Sequence, residues 1–88
     1  MKYVDLPGVT GDVDYSYLNS VSDGIRNLRK LRAMSTAGDD GAITIWVDDE
    51  GTYRGARYVY CNERSSIKTE TLRDLATWLK SELPKINR

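Results

Sequence analysis

Hydrophobic and polar positions alternate most regularly between Ala42 and Asn62. There Ala42-Ile43-Thr44-Ile45-Trp46-Val47 and the run from Thr52 to Asn62 flank Asp48-Asp49-Glu50-Gly51. β-Branched and aromatic runs around a tetrapeptide ending in glycine predict a β-hairpin with a type I turn and a G1 bulge, Gly51 taking the left-handed position. In that turn Asp48 pairs with Thr52, which fixes the register of the whole hairpin. One face then carries Ile43, Ile45, Val47, Tyr53, Gly55, Val59 and Cys61 and is the core side. Arg57 is its odd member, and is expected to reach an edge with its charged end. The other face carries Thr44, Trp46, Arg54, Ala56, Tyr58 and Tyr60, with Trp46 directly across from Arg54.

Helical periodicity flanks the hairpin on both sides. Leu18, Val21, Ile25 and Leu28 predict an amphipathic helix that begins at Asp14 or at Ser22 and runs to about Ala33. Leu72, Leu75, Ala76, Leu79 and Leu83 predict a second, with Thr71 and Asp74 as an approximate capping box and Pro84 as its stop. Trp78 falls at the margin of that stripe and is expected at the rim of the core. Ser35 to Gly41 reads as a polar loop, and Glu63 to Ser66 as a connector, with Ile67-Lys68 able to add a short third strand. Tyr3 to Leu6 is a candidate edge strand cut short by Pro7. Residues 1–13 and 85–88 are expected to be loop or tail.

The predicted fold is therefore a single α+β domain spanning residues 1–88, in two layers. A central antiparallel hairpin, of two or three strands, is flanked by an N-terminal and a C-terminal helix in the order α-β-β-α.

Composition narrows the function classes. Thirteen Lys and Arg balance thirteen Asp and Glu, which argues against a general polyanion binder. Histidine is absent, so the usual general base and the usual nitrogen ligand for zinc are both missing. Without it Cys61, the single cysteine, has no partner to activate it and is expected to be a small buried residue; it also excludes an internal disulfide. Neither a signal peptide nor a membrane span is evident, which makes a cytoplasmic location the expectation. Asp39-Asp40 and Asp48-Asp49-Glu50 lie at opposite ends of one strand, about 25 Å apart at about 3.3 Å per residue, so they cannot share a metal ion. No metal or cofactor is expected. The second cluster should form an acidic hairpin tip able to meet a basic partner.

Two surfaces remain as candidates. Trp46, Arg54, Tyr58 and Tyr60 combine the residue types enriched at binding hot spots, and point to a protein partner or to a homodimer through the sheet face. Arg26, Arg29, Lys30 and Arg32 form a basic cluster, the first three along one helix flank where they could follow a phosphate backbone, which makes a nucleic-acid-binding module the alternative. The reading that results is a small non-enzymatic protein that binds and modulates or inhibits another macromolecule. Its size and lack of motifs resemble those of phage and mobile-element accessory proteins that act on a host enzyme or defence complex.

Overall fold

A computed structural model describes residues 6–87. Its elements are β1 (Tyr15–Tyr17), α1 (Val21–Leu31), β2 (Ala33–Gly38), β3 (Gly41–Val47), β4 (Tyr53–Val59), β5 (Asn62–Thr69), α2 (Leu72–Glu82) and a 3-10 turn over Leu83–Ile86. The five strands form one sheet in sequence order. β1 runs parallel to β2, and every later pair is antiparallel. The chain is thus α+β, with a five-stranded mixed sheet and two helices in place of the expected α-β-β-α order with its two or three strands.

The hairpin has the predicted register. Ile45 faces Gly55 and Trp46 faces Arg54, while the Asp48 and Gly51 amides close the turn onto Thr52 O and Asp48 O, with Gly51 at φ 81°. Its second strand stops at Val59, however. Tyr60 and Cys61 turn the chain back, and β5 replaces the expected connector, with a bulge opposite Arg57 and Tyr58. Cys61 is consequently exposed rather than buried.

The N-terminal half departs further. Ser20, whose hydroxyl accepts from Asp23 N, caps α1, so the helix starts between the two expected sites and ends before Ala33. Leu18 keeps the helical spacing from outside the helix, because it packs on Gly24, where an added Cβ would lie 2.1 Å from the Leu18 side chain. That contact explains a glycine in mid-helix. The expected loop from Ser35 is mostly β2, a strand flanked on both sides.

Both helices cover one face of the sheet. Leu28 of α1 and Leu75 and Leu79 of α2 close over Met34, Ile43 and Ile45, all buried. The α2 cap forms as predicted, with Thr71 Oγ1 accepting from Asp74 N at 3.2 Å. Trp78 lies at the rim of this core, packed flat on Gly55 and donating from Nε1 to Ser65 Oγ. Past Pro84 the chain does not fray: Ile86 is fully buried, and its carbonyl accepts from Asp40 N.

Arg57 does not reach an edge. It donates to the buried Glu82 carboxylate at 3.1 Å, and Lys85 donates to the other oxygen at 2.8 Å. Burial disfavours charge on Glu82, but donation from Lys85, Ser65 and Arg57 outweighs it and holds the pKa at about 2. A depressed carboxylate pKa stabilises the fold above the unfolded value of 4.5 and loses that contribution as pH falls towards 2. Each pH unit across that window should remove at most about 1.4 kcal/mol. Denaturant midpoints at stepped pH should show this slope in the wild type and a flatter one in Glu82→Gln.

Candidate functional site: a tyrosine-rimmed groove on the open sheet face

The face of the sheet opposite the helices is only half covered. Residues 6–13 cross one end of it as a strap, packing Leu6, Val9 and Val13 on Ala33, Trp46 and Ala56. Trp46 is 3% exposed, and its Nε1 donates to Pro7 O at 3.1 Å. The candidate edge strand from Tyr3 to Leu6 falls mainly on residues outside those described.

The hairpin tip anchors this strap. Asp49 N donates to Gly8 O, Asp49 Oδ2 accepts from both the amide and the hydroxyl of Thr10, and Asp49 Oδ1 accepts from Arg32 at 2.7 Å. Asp48 is buried. It accepts from the Glu50 and Thr52 amides and from Arg54 Nε at 2.9 Å. Burial opposes its charge, yet the Thr52 amide and Arg54 keep its pKa below the ordinary carboxylate value. Two of the three tip acids thus serve the fold, while Asp49 and Glu50 stay exposed at the tip.

Beyond the strap the face is open. Register places Ala37 beside Ala42, Ser35 beside Thr44, Tyr17 beside Ser35, and Tyr58 beside Ala42. Small side chains on the two central strands therefore form a floor between tyrosines on the strands either side, about 14 Å apart at about 4.8 Å per strand. The result is a groove of about 510 Å³, walled by Tyr15, Tyr17, Tyr58 and Tyr60 and closed at the strap end by Leu6. Ser35 Oγ and Thr44 Oγ1 lie 3.1 Å apart in the floor, so its hydroxyls satisfy one another. Burial, and then the charge of Glu63 across the strand pair, push the Tyr58 hydroxyl pKa up. The phenol stays neutral at physiological pH.

Tyr60 and Cys61 form the two-residue turn between β4 and β5, at φ 50° and 67°. Both central residues at positive φ mark a type I′ turn, which favours Asn-Gly and costs other L-residues about 1–2 kcal/mol each. Tyr60 is 92% exposed there, so no packing within the domain accounts for its place.

Compared with known proteins, the chain matches no family model, no curated protein and no solved structure.

Of the four predicted partner-binding residues, Tyr58 and Tyr60 stand at the groove. Trp46 lies in the core beneath the strap, and Arg54 is held by Asp48. The basic set is divided as well. Arg32 leaves the helix as its C-cap at φ 56° and binds Asp49, while Arg26, paired with Asp23 but exposed, stays on α1 with Arg29 and Lys30. α1 lies across the sheet from the tyrosines, which separates the two surfaces offered for nucleic acid. Tyr15, Tyr17 and the floor residues were not visible as a site in the sequence. The doubled Tyr-x-Tyr of residues 15–17 and 58–60 was the available signal. Among the described residues, no three of Cys, Asp and Glu gather as a metal site, and no helix is long and apolar enough to cross a membrane.

Proposed function

We propose that this protein is a small non-enzymatic docking protein, which binds another protein through the tyrosine-rimmed groove and thereby modulates or inhibits it. The observation that carries this reading is Tyr60, fully presented to solvent from a turn that its side chain disfavours. Backbone strain held by the surrounding structure concentrates at functional positions. Tyrosine is also well suited to an interface, supplying a large rigid surface with a polar tip at little cost in rotamer entropy. Four tyrosines around a small-residue floor offer aromatic anchors and a recess in one place, the arrangement from which interface hot spots are built.

Photo-crosslinking tests the site before the partner is known. With p-benzoylphenylalanine replacing Tyr60, a cell extract should yield discrete, nuclease-resistant protein adducts, which excess unmodified domain competes away. The same group in place of Arg29 should yield none. Adducts from position 29 alone, or nuclease-sensitive adducts from either position, would move the function to the basic helix and to nucleic acid.

A further inference from the structure

The charges around the groove are arranged unevenly, and the unevenness bears on what the groove accepts. Its lining contains no charged side chain. At the strap end two cations share this face, Arg54, which is held by Asp48, and the exposed Lys68 across from it on β5. The groove's open end lies between the β2–β3 and β4–β5 turns, where Gly41 and Tyr60 also border a second, polar depression of about 400 Å³. That depression is lined by Asp39, Asp40, Arg57 and Lys85. Both cations are engaged by Glu82, at 3.1 and 2.8 Å. Neither aspartate carboxylate has an ion-pair or hydrogen-bond partner among the described residues. Glu63, which faces Tyr58, adds a third carboxylate, exposed and without an ion-pair partner among the described residues, with Arg64 of the bulge next to it in sequence.

We propose that the groove accepts an extended, lysine- or arginine-bearing segment of the partner protein, with apolar side chains on the Ala37, Ala42 and Thr44 floor and cations at the open end, between the tyrosines and Asp39, Asp40 and Glu63. This rests on the groove being the docking site. Two physical terms favour such an occupant. Free carboxylates at one end of a low-dielectric recess attract a cation and orient its approach. Tyrosine faces then contact the same cation or its aliphatic stem, arginine above all. A phosphate backbone or an acidic segment would instead meet a local excess of one carboxylate, since Asp39, Asp40, Glu63 and Glu82 stand against Arg57, Lys85 and Arg64.

Selection from a displayed library of random dodecapeptides tests both the site and its charge preference. The wild type, the floor variant Ala37→Gln/Ala42→Gln and the charge variant Asp39→Asn/Asp40→Asn/Glu63→Gln are panned in parallel, with circular dichroism as the check on folding. The wild type should enrich peptides that pair apolar residues with Lys or Arg. The floor variant should lose them, and the charge variant should bind the selected peptides about tenfold more weakly, as expected for three exposed charges together. Enrichment that depends on the floor but is neutral or acidic would overturn the cationic preference and leave the docking site standing. Enrichment indifferent to the floor, or none, would overturn both. Sedimentation of the wild type should show a monomer. A concentration-dependent dimer abolished by the floor variant would make a second copy the occupant and overturn the proposal.

Discussion

Trp46→Ala should lower the free energy of unfolding by about 3–5 kcal/mol, the range for truncating a buried large aromatic. A domain of this size holds a total in the region of 5–15 kcal/mol, so much of the population should unfold under mild denaturant. The effect has two sources. The indole fills the small core between the strap and the sheet, against Leu6, Ala33 and Ala56. Its Nε1–H is also the side-chain bond that ties the sheet to Pro7 O. Trp46→Phe separates the two, keeping most of the packing while losing the bond, and should cost about 1 kcal/mol more than the packing change alone. Urea midpoints for both variants make the comparison. A loss below about 1 kcal/mol in Trp46→Ala would mean that the strap does not pack on the sheet as described, and that the indole is open to a partner.

The turn between β4 and β5 should respond in the opposite direction. Exchanging Tyr60 and Cys61 for Asn and Gly places the preferred type I′ pair at two positions now held at φ 50° and 67° by residues with a steric penalty there. At about 1–2 kcal/mol for each residue, the double exchange should stabilise the domain by about 2–4 kcal/mol. Tm should rise by about 8 °C or more, taking the lower figure and about 4 °C per kcal/mol for a chain of this length. Glycine gives back a little through the entropy of the unfolded chain, which favours the lower end of the range. No contact of the folded domain is lost in compensation, since Tyr60 is almost wholly exposed and Cys61 is exposed as well. An unchanged or lowered Tm would show that this turn carries no strain, and would remove the main support for a functional role of Tyr60.

What the sequence made legible follows from where its local signals agree with the fold. The β3–β4 hairpin and its register were readable because Gly51 and the β-branched runs point the same way. α2 was readable because its cap, apolar stripe and stop all coincide. β2 was hidden because Ala33-Met34-Ser35-Thr36-Ala37-Gly38 has the composition of a loop. Pairing on both sides makes it a strand, and its small outward side chains make the groove floor. β5 was hidden for a related reason: Tyr60-Cys61 lacks the residues that usually announce a turn, so the strand read straight through it. Leu18 extended the helical pattern backwards into β1 because its packing on Gly24 mimics helical spacing. The site was legible in part. Tyr58 and Tyr60 were found as aromatic surface residues, but Trp46 belongs to the strap core. Tyr15 and Tyr17 join the groove through the parallel β1–β2 pairing, which local pattern does not encode.

If the chain retains a strained, exposed turn because Tyr60 docks a partner at the groove, relieving that strain should abolish docking. The most direct test pans the dodecapeptide library against the wild type and against Tyr60→Asn/Cys61→Gly side by side, with the same protein samples melted in parallel. The prediction is a more stable variant that fails to recover the peptides enriched by the wild type. Recovery of the same peptides by both proteins would contradict it.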